Sequence, residues 1–563
     1  MATLHNLKIK NFRGIQSFDH NFDNGLICII GRGDSGKSTI LEAINLVLSS
    51  SWTMSFYDSD FYNCQTNNPI EIEATIINIP EKQLAKYGMF VRGIAANGNI
   101  IDDMESEEAN DAKAALTIKL TVTKELEPVW TVINNRGQEP MTITAADRAK
   151  MNVSSISDYI DRHFSLNKGN PLYTLFKLLD EDGADIDEGN VMLEILRETK
   201  TRIDDGIANK FDNVIKKVTE TATQLGVNAE GIKASIDHRD ISIKENKVCL
   251  HESDIPLRLK GKGARRLLSL AIQLSIANPN GIILIDEIEQ GLEPDRVQHL
   301  VSVLAKITNS QIFLTTHSRN VIVELPCSDL FLMVKNAQSL LNIPPDLQGC
   351  VRSNPEALFM KRIIVCEGAT EIGICRALDR NRQLSNKISL ACLGIGIADG
   401  GGNNMIERSR GFNSLGFSTS LLCDSDVDNI NTIKNELRNI GISIFDCEND
   451  KSIEQQLFSD LLWQQIIQLV DYRIQIDGFD NQSVFQSTYS QKQPMPDFTE
   501  DWYKTESDEL RVLLGNASKK SDWYKRIDHG MIIGKTIFES FENLAANKKT
   551  KQMFEELSNW IDS

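Results

Sequence analysis

Between residues 4 and 11 polar and apolar positions alternate, with Leu7 and Ile9 on one face, the period of a β-strand. The same reading predicts strands at 70–79, at 115–123 (Ile118, Leu120 and Val122 sharing a face) and at 129–133. Residues 26–30 form an unbroken apolar run, the pattern of a strand buried on both faces. Ile40, Leu41, Ile44, Val47 and Leu48 then recur at helical spacing. From 157 to 227 the pattern is helical, and Ile203, Ile207, Phe211, Val214, Val218, Ala222 and Leu225 make one apolar stripe. That stripe suits either a helix packed on its own domain or a paired-helix arm that makes a dimer contact. Strand character returns at 241–250 and 281–285. Pro344, Pro345, Gly349 and Pro355 mark a linker over 335–355, and a new βα pattern begins at Lys361. The polar stretch 475–498 predicts a loop, and 506–563 predicts helices.

The turn after the apolar run 26–30 carries the first chemistry. Gly31-Arg32-Gly33-Asp34-Ser35-Gly36-Lys37-Ser38-Thr39 matches G-x-x-x-x-G-K-[ST] in full, between a strand and a helix. Backbone N–H groups of such a loop wrap nucleotide phosphates, aided by the positive end of the helix. The candidate ATP-binding residues are therefore Gly31, Asp34, Gly36, Lys37, Ser38 and Thr39, with Lys37 reaching the terminal phosphates and Ser38 holding Mg²⁺. Residues 282–285 end in Asp286 and Glu287. A buried strand would deliver Asp286 to the Mg²⁺ shell, opposite Ser38, and Glu287 to the attacking water, which makes Glu287 the candidate catalytic carboxylate. A third apolar run, 312–314, leads to His317, placed to sense the γ-phosphate.

A second acidic constellation follows. Residues 363–366 lead into Glu367-Gly368-Ala369-Thr370-Glu371, and 419–423 lead into Asp424-Ser425-Asp426-Val427-Asp428. In open α/β sheets, chemistry gathers beyond the carboxyl ends of the strands. Five carboxylates meeting there would repel one another, and hard divalent cations with oxygen ligands resolve the conflict. An EF-hand loop is the alternative for Asp-x-Asp-x-Asp, but Asn429 and Asn435 replace its sixth-position Gly and twelfth-position Glu.

Composition narrows the setting. At 563 residues the chain exceeds a single core, and ordinary domain size predicts about three or four units. No apolar run reaches the ~18–20 residues that cross a bilayer and no charged-then-apolar leader opens the chain, so no membrane association and a cytoplasmic location are expected. None of the 10 cysteines forms C-x-x-C, and Cys28, Cys366 and Cys423 lie in apolar runs, which suits reduced thiols. Lys and Arg number 60 against 78 Asp and Glu, a net charge of −18. That balance excludes a coat that binds nucleic acid everywhere, while leaving room for a local basic channel.

About 250 residues separate Lys37 from Asp286. This gap, with the Ile9-Lys10-Asn11-Phe12-Arg13 opening, resembles ABC-type ATPases of the RecF and SMC-like branch, in which an inserted lobe splits the two halves. In that family a Ser-Gly-Gly signature from one subunit completes its partner's nucleotide site. The counterpart here is the loop Leu259-Lys260-Gly261-Lys262-Gly263-Ala264-Arg265-Arg266, which lacks the Ser and precedes a helix expected from Leu267. Glu-Gly-x-Thr-Glu paired with Asp-x-Asp resembles a Toprim domain. The resemblance assigns divalent-metal binding to Glu367, Glu371, Asp424 and Asp426, with Asp428 as an extra ligand and Glu454 as a further nuclease-type glutamate. An ABC-type ATPase followed by Toprim resembles the OLD (overcoming lysogenization defect) family of ATP-dependent nucleases. That resemblance implies Mg²⁺-dependent DNA cleavage (Mn²⁺ or Ca²⁺ substituting in the nuclease site), often in defence against phage. It also implies a lysine after the Toprim core that neutralises transition-state charge, with Lys535 the first choice and Lys525 the second. Around the latter, Lys519, Lys520, Trp523, Tyr524, Lys525, Arg526 and His529 read as a phosphate-gripping patch with stacking groups.

The expected architecture is thus an α/β chain: an ABC-type P-loop ATPase with an inserted helical dimerisation region, then a Rossmann-like Toprim domain and a C-terminal helical segment. The boundaries are 1–155, 156–235 and 236–345 for the ATPase, and 358–470 and 471–563 for the nuclease part. Expected partners are DNA, a second copy through the ATPase domain, and a defence-system component such as a reverse transcriptase with its noncoding RNA, or a helicase. The rival reading is a RecF/SMC-like repair scaffold whose Toprim-like module binds without cutting. Topoisomerase chemistry needs a catalytic tyrosine, and none of the 9 stands in a context that singles it out.

Overall fold

The computed structural model describes residues 2–51, 54–103, 111–156, 161–166, 170–179, 200–236, 248–276, 281–334, 338–426, 428–476, 478–490, 492 and 494–563. They divide into two compact units, Met1–Asn342 and Ile343–Ser563. The first unit spans nearly all of the three ATPase segments expected separately. The second unit includes residues 343–355 of the stretch expected as linker.

Among the described residues the first unit contains two large sheets and a small three-stranded one, Ile232–Ile236, Val248–Glu252 and Ile255–Pro256. One large sheet is antiparallel and runs in the order Ile15–Asn21, Thr3–Phe12, Ile70–Ile77, Lys113–Val122, Arg92–Ile94, Ile100–Ile101, with Pro128–Ile133 also paired to Lys113–Val122. The other runs Val153–Ile156, Ile282–Ile285, Gln311–Thr315, Leu26–Ile30, Leu330–Val334, Ser339–Asn342, and is parallel except for its last pair. The helix Lys37–Leu48 joins them. Its Ile40, Ile44 and Val47 share one core with Ile72, Ile118 and Leu120 of the first sheet and Leu284 and Phe313 of the second. Each such side chain contributes about 1.5–3 kcal/mol by leaving water. The helix that opens with Lys37 is therefore clamped from both faces.

The helical region holds Pro171–Leu179 and Lys200–Gln224. Val214, Val218, Ala222 and Leu225 of the stripe are buried, and the helix packs on Lys262–Ile276 of the same unit. This half of the stripe follows the simpler of the two readings; residues 157–160, 167–169 and 180–199, and the side chains of Ile203 and Ile207, lie outside the described residues. Of the strand expected at 241–250, residues 241–247 also lie outside them; Val248–Glu252 pairs with Ile232–Ile236. The signature-like segment is not a loop up to Leu267. Its helix starts at Lys262, because Arg266 to Ile272 already lie on a buried face.

The second unit is built on a four-stranded parallel sheet, Ile395–Asp399, Arg362–Cys366, Ser418–Cys423, Ser443–Asp446. Cys366 is in register with Asp399 and Leu422, and Cys423 with Asp446, so the residues following these strands meet at one edge. Helices Ala369–Leu384 and Ile527–Glu539 touch backbone to backbone: a Cβ on Gly373 would stand 2.3 Å from the Ile527 carbonyl, and one on Gly530 2.3 Å from that of Thr370. Glycine is required at this crossing because no side chain fits. The stretch 475–498 is not all loop. Asn481–Tyr489 is a helix, capped by Asp480 accepting from the Ser483 N–H at 2.7 Å and anchored by buried Val484 and Phe485.

Candidate functional site

In the first unit the strand Leu26–Ile30 lies inside its sheet, and the chain leaves it through three positive-φ residues, Gly31 (141°), Asp34 (58°) and Gly36 (103°). Gly36 is the N-cap of Lys37–Leu48. The Lys37 ammonium folds back over the loop, donating to the carbonyls of Gly31 (3.1 Å) and Arg32 (2.9 Å). Burial lowers its pKa against the pull of Asp286, Glu287 and Glu289. Thr39 is half-buried in the first turn. Ser38 Oγ donates to Asp286 Oδ1 at 3.0 Å, so the hydroxyl and the carboxylate are in direct contact.

Asp286 and Glu287 follow Ile282–Ile285, as expected. Glu287 is exposed, with φ 44°, and its N–H donates to Thr315 Oγ1 at 2.9 Å. A non-glycine residue held at positive φ stores strain, a common feature of functional turns. His317 lies beyond Gln311–Thr315 with its ring exposed. Three residues of this site were not recognised in the sequence. Thr315 Oγ1 donates to Asp286 Oδ1 at 2.5 Å. Glu289 accepts from Thr316 Oγ1 (2.7 Å) and from the His317 N–H (2.6 Å). Buried Arg266 donates to the Asp286 carbonyl at 3.0 Å. The Thr315-Thr316 pair beside His317 was the available signal; Arg266 was hidden by the misplaced helix start.

In the second unit the acidic residues do converge. Glu367 Oε2 accepts from the Asp424 N–H at 2.8 Å, which joins the two motifs directly. Asp424 Oδ1 accepts from the Ile453 N–H at 2.6 Å. Glu371 is buried, with Oε2 on the Gly368 N–H at 2.9 Å. Glu454 is buried; its Oε2 accepts from Ser452 Oγ at 2.9 Å, and its Oε1 has no hydrogen bond, only Lys525 Nζ at 3.5 Å. Asp426 Oδ2 is 2.8 Å from Lys519 Nζ. Asp428 opens the helix Asp428–Asn439, and its side chain lies outside those described. Behind the motif, buried Lys434 donates to Ser425 Oγ (2.8 Å) and pairs with Asp446 (2.9 Å), bracing the Asp424–Ser425 turn. This lysine too was missed, since nothing local marks it.

The electrostatics match a site built for added positive charge. Burial, then Glu371, Glu367 and Glu454, pushes the Asp424 carboxyl up to about 9. Burial and Glu454 push Glu371 up to about 7, and burial raises Glu367 as well. Burial opposes the charge on Lys525, yet Glu454, Glu371 and Asp424 raise its pKa above the usual lysine value. Among the described residues no three His, Cys, Asp or Glu side chains stand in a geometry that could hold a metal ion; backbone amides and two ammonium groups engage the oxygens of the cluster. The donor set, all hard oxygen with one buried oxygen lacking a hydrogen bond, fits the chemistry of a hard divalent cation.

Two expectations are corrected here. Lys535 is not brought to the cluster: it is exposed and pairs with Glu539 one turn on, at 3.6 Å. Of the two candidates it is Lys525 that reaches the cluster, where Lys519 also pairs with Asp426. Trp523 and Tyr524 are not stacking groups, since both are wholly buried; the Tyr524 hydroxyl donates to the Leu469 carbonyl at 2.9 Å. His529 is buried against Tyr472.

The raised carboxyls hold more protons in the folded than in the unfolded protein, so without metal a penalty is absent below about pH 4 and grows as pH rises toward about 9. Each pKa unit is worth ~1.4 kcal/mol. In EDTA the thermal midpoint of the second unit is expected to fall between pH 6 and pH 9, and millimolar Mg²⁺ to restore more at pH 9 than at pH 6. Scanning fluorimetry checks this, and a Mg²⁺ effect equal at both pH values would contradict it.

Comparison with known proteins agrees with this geometry. Residues 3–90 match the AAA ATPase domain family, and 149–324 match the family described as "AAA domain, putative AbiEii toxin, Type IV TA system". Residues 358–426, which carry Glu367, Glu371, Asp424 and Asp426, match the overcoming lysogenization defect protein-like TOPRIM domain. The DNA replication and repair protein RecF of Rickettsia prowazekii (strain Madrid E) is 23% identical over 353 residues, 55% of this chain and 93% of the relative. RecF of Rickettsia massiliae (strain Mtu5) is 24% identical over 355 residues, 56% and 94% respectively. Among solved structures, an Smc head bound to the C-winged helix domain of ScpA aligns at 17% identity and TM-score 0.37, over 58% of this chain and 93% of that one. RecF with ATP aligns at 14% identity and TM-score 0.35, over 60% and 98%. No helix among the described residues is long and apolar enough to cross a membrane. With AAA-type ATPase matches on both halves of the P-loop unit and an OLD-like Toprim match on the acidic strand ends, the chain has the ATPase–Toprim architecture of the OLD family.

Proposed function

We propose that this protein is an ATP-binding, divalent-metal-dependent DNA endonuclease of the OLD type. The observation that carries the reading is the convergence of Glu367, Glu371, Asp424, Asp426 and Glu454, with Lys525, at one edge of a parallel sheet. Glu367, Asp424 and Asp426 would hold Mg²⁺, with Glu371 and Glu454 close behind. When bound, such cations activate a water and stabilise the leaving 3′ oxygen. Lys525 places a charged ammonium against Glu454, where it can offset the negative charge that builds on a phosphate during attack. In the ATPase unit, Lys37 and the loop amides would grip the phosphates, Ser38 and Asp286 would share a Mg²⁺, and Glu287 would orient the attacking water. Hydrolysing a phosphodiester needs only water and metal, so the nucleotide is assigned to assembling or gating the cutting site. A homodimer through the ATPase unit, a role in defence against phage and control by a partner such as a reverse transcriptase or helicase complete the proposal.

The test is supercoiled plasmid incubated with the protein, ATP and Mg²⁺ or Mn²⁺. Nicked or linear product supports the reading; tight binding without cutting favours the repair-type scaffold, to which the RecF relatives of the ATPase part point. Lys525→Met is expected to lower the cutting rate by roughly 10²–10³-fold, the scale for losing one group that stabilises developing charge. Lys535→Met is expected to leave it within about threefold, since exposed ion pairs are worth at most ~1 kcal/mol. Rates measured at saturating DNA check both, and a larger loss for Lys535 would restore it as the catalytic lysine.

A further inference from the structure

Lys519 lies in the last turn of the helix Asp508–Lys520, which packs along Ile453–Asp460, the helix that carries Glu454. That packing aims the lysine stem at the carboxylate edge of the sheet, and Nζ meets Asp426 Oδ2 at 2.8 Å. The Lys519 side chain is 38% exposed and that of Asp426 17%, so the pair lies on the outer side of the cluster, and Lys525 pairs with Glu454, whose side chain is wholly buried. Two ammonium groups thus supply positive charge to a set of carboxylates that repel one another.

They are not equivalent. Lys525 is held by Glu454 with Glu371 and Asp424 behind it. Lys519 sits on Asp426, which the Toprim reading assigns to a divalent ion. An ammonium and a divalent cation cannot share one oxygen lone pair, and the doubly charged hard ion displaces the singly charged group. A lysine stem is flexible and its charge is a compact point, so the displaced ammonium keeps its reach over the site.

We propose that Lys519 is an internal placeholder for the metal. It neutralises Asp426 while no divalent ion is bound, and on metal binding it is released to contact a DNA backbone phosphate. The proposal rests on the metal-dependent nuclease reading and adds an order of events: metal first, then a stronger grip on DNA.

The test uses the full chain, free of nucleotide, and Lys519→Gln, with Lys520→Gln as the neighbour of equal charge. Calorimetric titration with Mn²⁺ should show the Lys519 variant binding roughly fivefold more tightly, the scale of a partly exposed ion pair removed as a competitor. Lys520→Gln should match the wild type. In fluorescence anisotropy with duplex DNA and Ca²⁺, the variant should bind DNA more weakly. Its slope of log affinity against log salt should fall by about one, the mark of one lost phosphate contact. Without divalent ion the slopes of variant and wild type should coincide. A merely structural lysine would move neither the Mn²⁺ affinity upward nor the slope in a metal-dependent way. Unchanged or weaker Mn²⁺ binding by Lys519→Gln, or an unchanged slope in Ca²⁺, overturns the placeholder. Asp424→Ala separates the two ideas: if it abolishes Mn²⁺ binding while Lys519→Gln behaves as wild type, only the placeholder falls; if it binds Mn²⁺ normally, the metal site itself is misassigned.

Discussion

Asp424→Asn is expected to abolish DNA cutting, by about 10³-fold or more, and at the same time to make the metal-free protein more stable. The first effect is the loss of a carboxylate from the divalent site, worth at least ~4 kcal/mol of transition-state stabilisation if that site drives the reaction. The second comes from the cluster itself. Asp424 is buried among Glu371, Glu367 and Glu454, and its charge is opposed by all three. Asparagine keeps the oxygen that accepts the Ile453 N–H, so the Asp424–Ser425 turn survives, and the repulsion is relieved. The fall in thermal midpoint between pH 6 and pH 9 in EDTA should flatten in this variant. ATP turnover should be retained, because Asp424 belongs to the second unit and the P-loop to the first. A plasmid-cutting time course together with scanning fluorimetry reads both effects. Cutting at the wild-type rate would mean that the acidic edge of the sheet is not the nuclease site. Lost cutting with lowered stability would mean that Asp424 acts as a structural anchor.

What could be read from the sequence is what depends on short-range pattern. Apolar runs that end in a candidate site residue do form strands: Leu26–Ile30 before Gly31, Ile282–Ile285 before Asp286, Arg362–Cys366 before Glu367 and Ser418–Cys423 before Asp424. A strand buried on both faces must be nearly all apolar, so its end is conspicuous. What escaped depends on packing between distant segments. Lys519, Lys525 and Lys535 look alike in sequence. The contact of Asp508–Lys520 with Ile453–Asp460 brings Lys519 to Asp426, while Lys535 pairs with Glu539 in the first turns after the glycine crossing. Trp523 and Tyr524 read as a stacking surface because lysines flank them, yet tertiary contacts bury both rings. The Lys262 helix start was obscured by Gly261 and Gly263, which usually break a helix, whereas burial of the face beginning at Arg266 overrides that tendency.

Glu287→Gln should lower ATP turnover by about 10²–10³-fold and leave ATP binding intact, and the pair of variants Glu287→Gln and Lys37→Ala should then push DNA cutting in opposite directions. The Glu287 side chain is exposed at the end of its strand, while its backbone is fixed: φ is 44° and the N–H is tied to Thr315 Oγ1, which also donates to Asp286. The turn is therefore set independently of the carboxylate, and glutamine fits it without new strain. Only the ability to accept a proton from water is lost, and general-base catalysis contributes on the order of 10²–10⁴-fold. Lys37→Ala acts earlier. It removes the ammonium that lies across the carbonyls of Gly31 and Arg32, so nucleotide binding itself should fail. If bound ATP assembles the cutting site, the Gln variant cuts persistently and the Ala variant is silent; if bound ATP restrains it, the two exchange places. Either result makes the ATPase a gate, because the variants differ in ATP occupancy alone. Equal cutting by both variants, at the wild-type rate with and without ATP, would remove the gate and leave the two units as independent enzymes on one chain. Nucleotide binding by calorimetry, phosphate release and plasmid cutting, measured on the same three proteins, decide among these outcomes.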